Sequence, residues 1–224
     1  MKFCSLLLLL MLFSCSKEKP SQAIFKRLSA QETGIDFSND LTHDVATRSN
    51  LFDFDYFYNG AGVGVADLNN DGLLDLYFAG NQVEDKLYLN KGNFKFQDIS
   101  DHANLNLGLE GWSNGVSFVD INSDGFLDIY VSRGGPFDAD QRANLLYVNQ
   151  GDQTFIEQAE DFGLADRGFS TQTAFFDFDK DGDLDCFVMN ENALYGTDPR
   201  EFYKLLRTKK GLMQESSSHF YINH

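Results

Sequence analysis

Three nine-residue stretches, 67–75 (DLNNDGLLD), 120–128 (DINSDGFLD) and 177–185 (DFDKDGDLD), share the pattern D-x-[DN]-x-D-G-x-x-D and begin 53 and 57 residues apart. Such crowding of like charge is unfavourable, because two carboxylates about 5 Å apart repel by roughly 3 kcal/mol at an effective dielectric of 20. Oxygen-bearing side chains at positions 1, 3 and 5, a glycine at 6 where the backbone must turn sharply, and a carboxylate at 9 form a ring of hard ligands suited to calcium. A bound cation offsets the repulsion. An EF-hand is excluded, since position 12 of that loop needs a bidentate glutamate and Phe78, Val131 and Val188 stand there. The alternative is a set of solvated Asp/Asn-Gly turns without metal.

Each stretch is preceded by a short apolar or alternating run (GVGVADL, GVSFVDI, TAFFDF) and followed by another (LDLYFAG, LDIYVSR, LDCFVMN). Then come KLYLNKG and LLYVNQG, and after these FKFQDIS and TFIEQAE. Runs of four to seven residues rich in Val, Ile, Phe and Tyr, bounded by Gly, Asn and Asp, read as strands and tight turns. Four strands recurring at roughly 50 residues predict an all-β chain of β-propeller blades, each a four-stranded antiparallel sheet, with repeats around 60–100, 111–160 and 169–224. HFYINH at 219–224 aligns with KLYLNKG and LLYVNQG, giving about three and a half blades and an incomplete propeller. The expectation is an N-terminal piece of a longer protein; the alternative is a small complete fold closed by its last strand. Residues 191–218 interrupt the repeat with a polar insertion, predicted helical around 199–209, that maps to a rim and is a candidate partner surface.

Acids outnumber bases 34 to 18, giving a net charge of -16. This argues against nucleic acid, whose phosphates are bound by clustered Lys and Arg. Eleven of the 34 acids lie in the three loops, so much of the charge is local. At the N-terminus, Lys2 precedes an apolar run from Leu6 to Phe13, too short to span a bilayer and suited to a secretory signal at 1–14. The segment LFSC resembles the lipobox of bacterial lipoproteins, with Phe13 departing from the small or β-branched residue usual at its position. That resemblance implies lipidation of Cys15 as the first mature residue, followed by a tether over 15–29, polar as far as Gln22. The alternative is an ordinary signal peptide cut elsewhere. Cys4 leaves with the signal and Cys15 takes lipid, so Cys186 stands alone, at an apolar position where it reads as a small buried hydrophobe. Trp112, the only tryptophan, reads as blade packing or as a ligand platform at a rim, and His43 as a surface loop residue.

The pattern G-V-x-x-x-D-x-N-x-D-G-x-x-D-L-Y followed by L-Y-x-N-x-G resembles the FG-GAP/VCBS repeats, the blade type of the integrin α propeller. TGIDFSND, FYNGAGVGVADLNNDGLLDLYFAGN and KLYLNKGNFKFQDIS are similar to the bacterial ASPIC/UnbV-type proteins, of the cartilage acidic protein kind, over most of residues 30–190. The resemblance implies a seven-bladed propeller, one calcium ion per loop and an extracytoplasmic adhesion or binding role. Carried over position by position, the ligands are Asp67, Asn69, Asp71 and Asp75; Asp120, Asn122, Asp124 and Asp128; and Asp177, Asp179, Asp181 and Asp185. The backbone carbonyls of Leu73, Phe126 and Asp183 fill position 7. The third loop, with four carboxylates where the others have three and an amide, is expected to bind most tightly and to be least stable when empty.

No Gly-x-Ser-x-Gly elbow, phosphate loop or His/Cys metal cluster is present in the sequence. The favoured expectation is a calcium-stabilised, non-enzymatic binding or adhesion module. It is lipid-anchored at the outer membrane or surface of a bacterium and presents its face to an extracellular protein or polysaccharide. The alternative is the scaffold part of a longer extracytoplasmic enzyme.

Overall fold

Apolar side chains at every second residue on both sides of each acidic loop require a sheet that buries a face, and the chain builds three such sheets in succession. A computed structural model describes residues 24–46, 49–105, 111–191, 199–208 and 217–223. The first sheet holds β1 (Val63–Ala66), β2 (Asp75–Phe78), β3 (Lys86–Asn90) and β4 (Phe96–Asp98). The second holds β5 (Trp112–Val119), β6 (Asp128–Gly134), β7 (Leu145–Asn149) and β8 (Phe155–Glu157). The third holds β9 (Ser170–Phe176), β10 (Asp185–Asn190) and β11 (His219–Tyr221). All pairings are antiparallel, and each strand lies beside its neighbour in the chain. These are the blades of a partial β-propeller: all-β, with two sheets of four strands and one of three, and no closed sheet among the described residues.

The register makes the repeat visible. Leu76 faces Tyr88, Ile129 faces Tyr147 and Cys186 faces Tyr221, so HFYINH occupies the place of KLYLNKG and LLYVNQG. Alternation then sends one side chain forward and the next back. Tyr77, Leu87 and Leu89 of the first sheet meet Ile129, Val131 and Tyr147 of the second in one core cluster, with Val116 and Phe118 packed against it. Tyr130, Leu146 and Val148 meet Cys186 and Val188 of the third in another. Every residue of β6 is therefore buried, whereas β1 and β9 bury only part of theirs. Each fully buried Leu or Tyr adds about 1.5 to 3 kcal/mol, so the two inter-sheet cores dominate stability.

Trp112 packs between Phe54 and Phe57, with ring centroids 5.4 and 5.6 Å away, as a wedge at the start of β5. Cys186 is buried, and burial together with Asp166 pushes its thiol up to about 12, so it behaves as an apolar filler. His43 is exposed in a loop.

Helix is scarce. Ala30–Thr33 forms a single turn (α1) opened by a capping box between Ser29 and Glu32 and closed by Gly34 at φ 83°. Pro199–Thr208 (α2) is the helix expected in the insertion. A 3-10 turn spans Ala139–Arg142. Among the described residues no helix is long and apolar enough to cross a membrane. The signal segment 1–14 and Cys15 lie outside the described residues.

β11 returns to the third sheet after a long excursion and is fastened there by Asp166, in the loop between β8 and β9. Its Oδ2 accepts from Tyr221 Oη at 2.7 Å and contacts His219 Nδ1, while Oδ1 accepts from Gly168 N at 2.7 Å. Burial alone would raise this carboxyl, but His219, the Gly168 N–H and Tyr221 together hold it below the usual range. A depressed folded-state value stabilises the fold above the unfolded pKa, about 3.9, and that stabilisation disappears as pH falls through the folded value. Denaturant unfolding should show Asp166→Asn less stable than wild type at pH 7, with the gap narrowing below about pH 4. A gap constant with pH would contradict this.

Candidate metal centre

The three acidic loops join the first two strands of their sheets, between β1 and β2, β5 and β6, and β9 and β10. Their backbones repeat. Position 4 is left-handed in each, at Asn70 (φ 56°), Ser123 (60°) and Lys180 (66°), and so is the glycine at position 6, at 84°, 88° and 102°. Nothing lies within 4 Å of where a Cβ would sit on Gly72, Gly125 or Gly182, so φ rather than crowding selects glycine.

Side chains close the turn. Asp67 accepts from the N–H of Asp71 (3.1 Å) and of Gly72 (2.8 Å), as Asp120 does from Asp124 (3.0 Å) and Gly125 (2.9 Å). Asp177 accepts from Lys180 (2.6 Å) and Gly182 (3.3 Å). At position 5, Asp71, Asp124 and Asp181 accept the N–H of Leu73, Phe126 and Asp183 at 2.8, 2.8 and 3.0 Å. Each turn is thus closed by hydrogen bonds from its own side chains to its own backbone.

Position 9 does more than a ligand needs to. Asp75, Asp128 and Asp185 are buried. Each accepts at Oδ2 from the N–H of position 2 (Leu68, Ile121, Phe178) at 3.0, 2.8 and 2.9 Å. Each accepts at Oδ1 from the N–H at or just past the end of the third strand (Asn90, Asn149, Asn223) at 2.8, 2.8 and 3.1 Å. One carboxylate thus pins the loop and the third strand to the start of the second. Burial raises Asp75 and Asp128 despite these bonds.

The loops differ at position 3. Asn69 and Asn122 donate Nδ2 to Asp71 and Asp124 at 3.0 and 2.9 Å, so an amide quiets the position 5 charge. In the third loop Asp179 stands in that place and cannot donate; desolvation, and then the charge of Asp181, raise its carboxyl. Among the described residues, Asp177, Asp179 and Asp185 form the one group of three acidic, His or Cys side chains whose ligand atoms all lie within 4.8 Å of one another. That span fits a hard cation, because oxygens on opposite sides of a calcium ion at 2.3 to 2.6 Å stand roughly 5 Å apart. Asp181 does not join the group.

A second polar centre, built across sequence, lies between the first two sheets. Buried Asp85 accepts from Gly80 N (2.7 Å), Tyr77 Oη (2.7 Å) and Ser113 Oγ (3.0 Å). Beside it a cavity of about 460 Å³ is lined by Arg133, Leu105, Leu145 and Tyr147 among others. Burial raises Asp85 and lowers Arg133, each partly opposed by the other's charge. No local motif marks these residues; only the three hydroxyl and amide donors, from Tyr77, Gly80 and Ser113, the last 28 residues beyond Asp85, identify it as a structural acceptor.

Repeated antiparallel sheets with an acidic loop after each first strand define a protein of propeller-blade type. Residues 67–131, from the first loop through most of β6, match the FG-GAP-like repeat family, which supports an FG-GAP repeat protein. No curated protein matches the chain.

Replacing Asp128 by Ala should separate the pin from the cage. The buried Asn149 N–H and the half-buried Ile121 N–H lose their acceptor, so stability falls by roughly 3 kcal/mol and the thermal midpoint by about 10 °C already in EGTA. Asp124→Ala removes the acceptor of exposed donors only, Phe126 N–H and Asn122 Nδ2, so in EGTA it should cost far less than Asp128→Ala, with the larger part of its effect in calcium. Equal sensitivity of both variants to the ion would contradict a separate structural role for position 9.

Proposed function

We propose that this chain is a calcium-binding β-propeller module of the ASPIC/UnbV type that acts by binding rather than catalysis. Each acidic loop takes one calcium ion, held by the aspartates and asparagines at positions 1, 3, 5 and 9 with the position 7 carbonyl. The observation that carries this reading is the convergence of Asp177, Asp179 and Asp185 on a span matched to one ion, in a loop whose backbone recurs twice more. Calcium supplies charge neutralisation; the residues themselves already supply the turn, so the ion stiffens a preformed rim rather than creating it.

The module is proposed to sit outside the cytoplasm on a lipid attached at Cys15, at the outer membrane or cell surface, with an extracellular protein or polysaccharide as ligand. The lipobox-like LFSC and the FG-GAP-like match at 67–131 support that placement. The net charge of -16 disfavours nucleic acid.

Thermal unfolding with calcium and with EGTA tests the proposal. Calcium at a hundred times its dissociation constant should stabilise by about 2.7 kcal/mol per site. Asp179→Asn should weaken binding on the order of tenfold while raising the midpoint in EGTA, because it removes a charge from the empty loop. An unchanged midpoint on calcium removal, with no metal in the purified protein, would overturn the calcium assignment. Mass spectrometry of the same sample should find a lipidated Cys15 at the N-terminus.

A further inference from the structure

The two interfaces between sheets close differently at the end away from the acidic loops, where the second strand of each sheet turns into the third. In every sheet the side chain just before the third strand accepts the N–H of a residue near the end of the second. Asp85 Oδ1 accepts from Gly80 N at 2.7 Å, Asn144 Oδ1 from Arg133 N at 2.7 Å, and Ser218 Oγ from Asn190 N at 3.3 Å. Gly80, Arg133 and Asn190 are therefore counterparts, as are Asp85, Asn144 and Ser218. Two positions before the acceptor, Val83 of the first sheet stands where Arg142 stands in the second.

Arg142 fills the second interface. It is buried, donates Nε to Gly168 O at 3.1 Å, and holds its guanidinium 4.0 Å from the centroid of the Phe169 ring. Gly168 and Gly111 are counterparts too, each nine residues before the first aspartate of the following loop. Arg142 arrives on a long connection, since Arg133 and Asn144 are 11 positions apart and Gly80 and Asp85 only 5. At the first interface the short connection and the short Val83 side chain leave room, and that room is the cavity of about 460 Å³ beside Asp85. Cavities of roughly 300 to 1,000 Å³ accommodate small organic ligands.

The lining defines the guest. Leu105, Leu145 and Tyr147 are buried apolar walls, and half-buried Val83 and Phe137 extend them. Among them lies Arg133, 3% exposed. Its guanidinium occupies the place a Cβ on Gly111 would take, so glycine is needed there. The counterpart of Arg133 in the second interface is the neutral Asn190, so the repeat itself does not require a cation at this position. Asp85, the nearby carboxylate, already accepts from three donors of the chain. A guanidinium carries five N–H donors in a planar fork that matches a carboxylate. Burial lowers Arg133 despite the charge of Asp85, so a further anion offsets a cost that the fold leaves standing.

We propose that this crevice binds a small organic acid, with its carboxylate on Arg133 and its apolar body between Leu105, Leu145 and Tyr147. The site lies between two sheets that cover one another, away from the outer faces of the first and third. The acidic loops join the opposite ends of the same strands, so binding does not depend on calcium.

NMR titration of the full chain with 3-phenylpropionate, in calcium and in EGTA, should shift the methyl signals of Leu105 and Leu145 and give a dissociation constant on the order of 1 mM or below. 3-Phenylpropionamide, alike in shape and uncharged, should bind roughly tenfold more weakly. Arg133→Gln should erase that preference, leaving the two probes about equal. Should Arg133→Gln unfold, Val83→Trp fills the cavity from a half-buried position and should remove the binding of both probes. Equal binding of acid and amide to the unaltered chain would overturn the proposal. So would acid binding that survives Val83→Trp, shifts confined to residues outside the crevice, or no binding at all.

Discussion

The carboxylate at the ninth position of each acidic loop is the interaction on which the sheets depend. It is buried, it ends the loop and begins the second strand, and its two oxygens hold the loop's entry and the third strand's exit. One side chain satisfies two backbone N–H groups that are buried or partly buried. Asp75, Asp128 and Asp185 occupy the same register, so the loop, the second strand and the third strand are fastened in the same way in all three sheets.

Stacking then determines burial. The middle sheet is covered on both faces, so β6 reads DIYVSRG with every position inside, polar ones included. Among its polar members, Ser132 Oγ lies 2.9 Å from Thr173 Oγ1 and the Arg133 backbone N–H donates to Asn144 Oδ1 at 2.7 Å. The outer sheets have one covered face each, and the N-terminal segment adds a partial cover to the first. There Phe37 stacks on Phe78 with centroids 5.0 Å apart, and Tyr88 Oη donates to Asp36 at 2.8 Å.

Much of this was legible in the sequence because it is local and periodic. The strands flanking each loop, the glycine turn, the α2 helix, buried Cys186 and the packing of Trp112 follow from runs of a few residues. The α1 turn has a sequence signal too, the Ser29–Glu32 capping box. The second role of Asp75, Asp128 and Asp185 was hidden: spacing reveals a carboxylate beside a loop, whereas the strand it pins is fifteen to 38 residues further on. Asp85 with Tyr77 and Ser113, and Asp166 with His219 and Tyr221, are assembled only by sheet stacking across as many as 55 residues. The difference between loops was half visible. Asp179 adds a charge, as read, but the amide bridge it removes from position 5 emerges only from geometry.

Amide hydrogen exchange followed by NMR, with calcium and with EGTA, tests the pin most directly. The N–H groups of Asn90, Asn149, Leu68 and Ile121 should stay strongly protected in both conditions, while those of Gly72 and Gly125, exposed in the loop, should lose protection on chelation. Exchange at the four pinned amides as fast as at the two glycines would contradict the account.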